Sequence, residues 1–142
     1  MHPNQPWTVE RANRALPLLR RIAEDLVRTY GEWRGLMDRF ELRSANATPA
    51  RPDPELELLQ RGIQRAAAEI EGFVKELDQL GVECKAMDRG LFDFPAEREG
   101  RAVYLCWLRG EPAVTHWHEL DAGFAGRQRM MRPSEFEGTL LH

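Results

Sequence analysis

The sequence has little cysteine, no excess of positive charge and no long apolar run, and each shortage excludes a class of protein. Two cysteines, Cys84 and Cys106, are too few for a disulfide framework, so we expect reduced thiols and a cytoplasmic location. The formal net charge of −3 argues against nucleic acid as a partner, because any basic surface would have to be local. No stretch approaches the roughly 20 apolar residues that span a bilayer, and the first residues lack the pattern of a secretory signal.

The composition that remains is that of a globular domain. Hydrophobic residues make up 42% and charged residues 30% of a chain of 142 residues, which is long enough to bury its own core. We therefore expect a single domain over residues 1–142. No arrangement of serine and histidine resembles a hydrolase triad, and Cys106 in YLCWL is expected to be a buried strand residue. The sequence leaves open whether the protein is an enzyme.

The first part of the chain has the period of amphipathic helices. Apolar residues recur at alternating spacings of three and four along residues 8–43, and again without a break along residues 55–80. Thr8 is placed to cap the first helix, and Gly81 is placed to end the second. Pro17 has no amide proton, so it should kink the first helix or begin a new segment.

A loop with three prolines, residues 44–54, joins the two helices. The helices therefore form a long antiparallel hairpin with a coiled-coil-like seam. Apolar residues beside the first seam need a cover, which the last third of the chain or a second copy would supply; they are Leu18, Val27, Tyr30 and Met37. We expect a homodimer with a four-helix interface.

The last third of the chain, residues 82–142, changes to the period of strands and ends in a tail. Short aromatic and β-branched segments at 89–94, 101–108 and 113–120 are separated by turn signals. They predict a three-stranded antiparallel meander, with residues 82–85 either adding a fourth strand or serving as a connection. The predicted fold class is α+β, a long antiparallel helical hairpin followed by a small antiparallel sheet.

One of these strands carries two histidines, and they suggest a metal site. Alternate residues of a strand share a face, so His116 and His118 point the same way and can bind one ion. A carboxylate would complete the set: Asp121 if the chain turns there, Asp93 if the first strand lies close, or Glu111 from the hairpin turn. Two imidazoles and a carboxylate suit zinc, iron or manganese. The alternative is that both imidazoles lie on a solvated face or bond to neighbouring backbone.

Two other interpretations of these residues stay open. A zinc site with two cysteines and two histidines would use Cys84, Cys106, His116 and His118, but it lacks the short C-x-x-C knuckle. Asp93 lies between two phenylalanines, where a carboxyl group can have a raised pKa and act as a general acid or base. It can equally cap a turn or pair with an arginine.

The DAGFAGRQR turn is a candidate anion site. Gly123 and Gly126 let backbone amides approach a ligand, and Arg127 can bind a phosphate or carboxylate through two nitrogens. The alternative is that the glycines only permit a tight turn while Phe124 packs into the core. A G-x-x-G spacing alone is weak evidence for a nucleotide site.

The motifs GLFDFPA, RAVYLCW, GEP and WHELDAGFAGR follow, in this order, a hairpin opened by TVERANRALPLL. In these motifs the chain resembles a bacterial and archaeal family classed as domain-of-unknown-function family 2203, over nearly its whole length. The resemblance implies a cytoplasmic prokaryotic protein with helices followed by a sheet, and it supplies no catalytic residues.

Three functions follow from these observations. The first is a non-enzymatic structural or interaction protein that dimerises through its helical hairpin. The second is a small metal-binding protein or metal-dependent enzyme that uses His116, His118 and a nearby carboxylate, Asp93 or Asp121. The third is a protein that binds an anion or small ligand at the DAGFAGR turn.

Overall fold

Two long helices form the first part of the fold, α1 at Val9–Asn46 and α2 at Glu55–Leu80. The computed structural model describes residues 5–137; the two ends of the expected domain, 1–4 and 138–142, lie outside the described residues. Both predicted caps are confirmed. The Thr8 side chain accepts a hydrogen bond from the backbone amide of Arg11, and Gly81 ends α2 in the left-handed conformation at φ 80°.

Helix α1 is longer and more continuous than its sequence predicts. It runs to residue 46 rather than 43, and no new segment begins at Pro17. Pro17 is exposed, so the carbonyl that lacks its usual backbone donor can be satisfied by water. At the far end of the hairpin the Arg43 guanidinium donates to the Asp53 carboxylate at 2.7 Å, which fixes the loop between the helices. Within residues 5–137 neither helix is apolar enough over a sufficient length to cross a membrane.

The remaining chain forms one antiparallel sheet of five strands, not three. In sheet order they are β1 (Glu83–Ala86), β2 (Leu91–Arg98), β3 (Arg101–Leu108), β4 (His116–His118) and β5 (Gln128–Arg129). The three predicted strands become β2, β3 and β4, and the segment left as a strand or a connection becomes β1. Strand β5 was not predicted, because two residues carry no period of their own.

The pleat of the sheet separates two sets of side chains. One face packs against the helices and contributes aromatic and aliphatic residues to the common core: Phe92, Phe94, Val103, Leu105, Trp107 and Trp117. Alternate residues lie on the other face, where Asp93 is opposite Cys106, Cys106 is opposite His116, and Tyr104 is opposite His118. Residues 120–127 lie over this second face, so that polar side chains are enclosed there.

Trp7 anchors the start of α1 to the rest of the fold. It is buried, its indole nitrogen donates to the Gly81 carbonyl at 3.0 Å, and its backbone pairs with Ala96. Its ring also meets Phe94 edge to face at 5.2 Å. One residue thus joins the beginning of α1, the end of α2 and strand β2.

Candidate metal centre

Three buried side chains from three neighbouring strands meet on the polar face of the sheet. Asp93 comes from β2, Cys106 from β3 and His118 from β4, and one ligand atom of each lies within 4.8 Å of the others. All three residues are at most 2% exposed. His118 reaches the pair diagonally, because its direct partner across the ladder is Tyr104. Residues 5–137 contain no other group of three or more histidine, cysteine and carboxylate side chains so arranged.

The orientation of His118 is fixed by a backbone carbonyl. Its Nδ1 lies 2.7 Å from the Glu119 carbonyl oxygen, and a carbonyl only accepts, so Nδ1 carries a hydrogen and donates it. Its Nε2 lies 2.9 Å from Asp93 Oδ2, inside the protein. Two lone pairs would repel at this distance, so the Asp93–His118 pair holds one proton between them. Nε2 is therefore the ring atom offered to the cluster.

The other carboxylate oxygen of Asp93 is without a partner. Oδ1 is fully buried and has no hydrogen bond to any residue between 5 and 137. An unpaired buried polar group costs about 1–3 kcal/mol, and a charged one costs more, so such atoms call for an explanation. Burial raises the pKa of Asp93, while the neighbouring His118 acts in the opposite direction. An oxygen so placed is what a bound cation would require.

Cys106 is the member of the cluster that the predicted histidine-pair site did not include. It is buried in its strand as predicted, but its thiol is turned to the polar face. Burial and the nearby Asp93 raise the pKa of the thiol to about 12, so it is protonated and is a poor nucleophile as it stands. Arg127 places Nη1 3.6 Å from the sulfur and opposes this shift.

His116 shares the face of His118 but points into a different group of side chains. Its Nδ1 accepts from the Thr115 hydroxyl at 2.9 Å and from Arg127 Nη2 at 3.3 Å. Burial, followed by the Arg127 charge, lowers the pKa of His116. Arg127 in turn grips the Glu111 carboxylate with both terminal nitrogens. Of the carboxylates considered from the sequence, Asp93 therefore meets His118, and Glu111 lies on the side of His116.

Asp121 and Cys84 lie farther from the cluster. Asp121 is exposed and lines the same cavity as Asp93 and His118. Cys84 pairs across the ladder with Phe92 and packs against the helical core, on the opposite face from Cys106. The sheet therefore does not bring together the two cysteines and two histidines of the alternative zinc site.

A cavity of about 250 Å³ opens over the cluster. Asp93, His118 and Tyr104 form its floor, and its walls come from residues 120–124 together with Lys85 and Leu91. Phe124, in this covering segment, lies between two guanidinium groups, with Arg89 at 4.5 Å and Arg127 at 4.7 Å from the ring centroid. The cover is thus held in place from both sides.

The glycines of the DAGFAGR turn have structural reasons to be glycine. Gly123 has φ 66°, a conformation that side chains rarely adopt, and a Cβ at Gly126 would lie 2.6 Å from the Cβ of Ala122. The guanidinium of Arg127 is already engaged by Glu111. Anion binding by these three residues stays a prediction.

Comparison with known proteins identifies a family. Residues 5–130 match the profile described as Uncharacterized conserved protein (DUF2203), and this span contains both helices, all five strands and the whole cluster. Comparison with curated proteins and with solved structures gives no match. Since the match covers most of the chain, the protein belongs to the DUF2203 family.

Proposed function

We propose that this protein binds one divalent transition-metal ion through Asp93, Cys106 and His118. The observation that carries the proposal is the buried, unpaired Oδ1 of Asp93 beside a thiol and an oriented imidazole. Zinc accepts sulfur, nitrogen and oxygen ligands, and catalytic zinc sites use three protein ligands with one position open. A thiolate among the ligands favours zinc or iron over manganese.

The charges of the site match an ion of charge +2. Without metal, the Cys106 thiol keeps its proton and the Asp93–His118 pair holds one, so the cluster is neutral. A metal ion displaces both protons and leaves one thiolate and one carboxylate to balance its two charges. A monovalent or trivalent ion would leave a net charge in a buried place, which is unfavourable.

The surroundings of the cluster also suit a metal. Metal-bound histidine usually donates its second ring N–H to a carbonyl or carboxylate, and here the Glu119 carbonyl accepts from His118 Nδ1. Arg127 brings positive charge to within 3.6 Å of the Cys106 sulfur, which stabilises a thiolate. Glu111 holds that guanidinium in place.

Elemental analysis of untagged protein tests the proposal. After dialysis against zinc and then against buffer, wild type should retain about one ion per chain, as a single site requires. The variants Asp93→Asn, Cys106→Ala and His118→Ala should lose it, while the matched variants His116→Ala and Asp121→Asn should keep it. Circular dichroism shows whether each variant is folded.

Two outcomes would overturn this ligand set. Loss of metal from the His116 or Asp121 variant, with retention in the Cys106 variant, would favour the histidine-pair site that the sequence suggests. Failure of wild type to retain zinc, iron or manganese would remove the metal site altogether. The buried carboxylate would then be structural.

Assembly through the hairpin is a second proposal and does not depend on the metal. Leu42 and Leu58, near the loop end of the hairpin, are 68% and 58% exposed, and a Cβ at Gly31 or Gly35 would meet open space. We propose that this part of the hairpin packs against a second copy, as an interaction protein would. Light scattering should give twice the chain mass of 16.4 kDa, and Leu42→Glu should return the monomer. A monomer at all concentrations would contradict the proposal.

A cytoplasmic location is proposed on the state of the thiols. Cys84 and Cys106 are both free, and their strands place them on opposite faces of the sheet, so they cannot form a disulfide with each other. Free thiols of this kind persist in a reducing compartment. Labelling of the denatured protein with a thiol reagent, directly after cell lysis, should modify both cysteines.

A further inference from the structure

The cavity above the cluster lies on one side of the proposed metal. Two of the three ligands, Asp93 and His118, line the cavity, whereas Cys106 is not among its lining residues and lies behind them. A metal held by all three would therefore have its sulfur on the closed side and its remaining coordination positions toward the cavity. Structural zinc sites are closed by four protein ligands, and an open side is the mark of a site that exchanges ligands.

The size of the cavity limits what can bind there. Its volume is about 250 Å³, below the roughly 300–1,000 Å³ typical of pockets for drug-sized ligands. A molecule of a few non-hydrogen atoms fits with one or two waters, at about 30 Å³ for each water. Nucleotides, sugars and peptides are too large to enter.

The wall opposite the cluster carries a cation. Lys85 lines the cavity, and its Nζ lies 2.8 Å from the Glu83 carboxylate and 5.2 Å from the centroid of the Tyr104 ring. An ammonium group has three hydrogens, and the bond to Glu83 uses one of them. Leu91 and Phe124 are apolar neighbours on the same wall, so a charge inside the cavity is less screened than one at the surface. Asp121 is exposed at the mouth, where water screens its charge.

We propose that the open side of the metal takes a small oxygen-donor anion, a carboxylate or an inorganic oxyanion, whose far end is held by Lys85. This inference rests on the proposed metal site and deepens it, since it makes the centre a ligand-exchanging site for small anions rather than a structural one. The anion completes the coordination of the metal with one oxygen and faces the ammonium group with another. The walls admit the small ligand and exclude larger ones.

Cobalt(II) substitution tests the inference, because the visible bands of cobalt report each change of ligand. The cobalt protein is titrated with acetate, with phosphate and with azide, and saturable changes in the spectrum are expected for at least acetate. The variant Lys85→Gln should weaken acetate binding about tenfold, which corresponds to about 1.4 kcal/mol. The matched variant Lys75→Gln, on the exposed side of α2, should bind acetate like wild type.

The outcomes separate the two proposals. Failure of the protein to bind cobalt or zinc would overturn the metal site and this inference together. Cobalt binding with a spectrum that none of the three anions changes would overturn this inference alone and leave a structural metal. Equal acetate affinity in wild type and the Lys85 variant would overturn the assignment of Lys85 as the residue that holds the anion.

Discussion

Replacing Asp93 by asparagine should stabilise the metal-free protein, although the residue is buried. The carboxylate is 2% exposed and its Oδ1 has no partner within residues 5–137, so its charge is held at a cost. Asparagine keeps the shape, removes the charge, and can donate its amide hydrogen to His118 Nε2. An unpaired buried polar group costs about 1–3 kcal/mol, and we expect a gain of about 1–2 kcal/mol. At about 4 °C per kcal/mol, this raises Tm by roughly 4–8 °C.

The gain should increase with pH. Because burial raises the pKa of Asp93 above its ordinary value of 3.8, the folded protein keeps a proton that the unfolded chain has released. The stability linked to that proton is complete below the unfolded pKa and is lost as pH rises through the folded pKa. Asparagine does not titrate, so the Asp93→Asn variant should exceed wild type by more at about pH 8 than at about pH 5.

Zinc should reverse the order of stability. An ion at about 100 times its Kd stabilises the folded wild type by about 2.7 kcal/mol, and a variant that cannot bind it gains nothing. Urea denaturation in chelator and in zinc measures both values, and Asp88→Asn, on an exposed turn, serves as the matched control. If Asp93→Asn is less stable than wild type in chelator at both pH values, the carboxylate is a structural partner of His118 and the reasoning fails.

Three further predictions concern the protons, a turn and the anchor of α1. Zinc binding should release about two protons per ion near neutral pH, measured as a buffer-dependent calorimetric enthalpy; release of none would contradict the protonation assigned to Cys106 and the Asp93–His118 pair. Gly90→Ala should cost about 2 kcal/mol in urea denaturation, because φ is +70° and the new Cβ would lie 2.9 Å from that of Arg109; an unchanged midpoint would show that the turn relaxes freely. Trp7→Ala should cost about 3–5 kcal/mol, since the ring is 1% exposed, and a thermal shift corresponding to less than about 1 kcal/mol would mean that this anchor is dispensable.

The helices could be predicted well because their signal is long and local. The apolar period repeats over many turns, and the bounds of α2 agree with residues 55–80 as predicted, while α1 extends three residues further. The strands were harder, since β1 and β5 have four and two residues and exist only because neighbours pair with them. Tertiary pairing, not local preference, defines such strands.

The candidate site could be predicted in part for the same reason. Asp93 and His118 were identified from their residue types, but the choice of Cys106 over His116 depends on strand register. One signal could have supplied half of it. A two-residue turn with positive φ, Glu99 at 51° and Gly100 at 82°, pairs Arg98 with Arg101, and counting back along both strands places Asp93 opposite Cys106. The next connection, residues 109–115, is too long to fix the position of β4 in this way.

The alternation along β3 gives the core and the cluster a common reading frame. Val103, Leu105 and Trp107 belong to the face that packs on the helices, and Tyr104 and Cys106 belong to the other. A shift of β3 by one residue would exchange the two sets, moving an indole into the polar cluster and a thiol into the core. Inserted or deleted residues within this strand therefore disrupt packing and chemistry together, and selection for a well-packed core preserves the geometry of the site as a by-product.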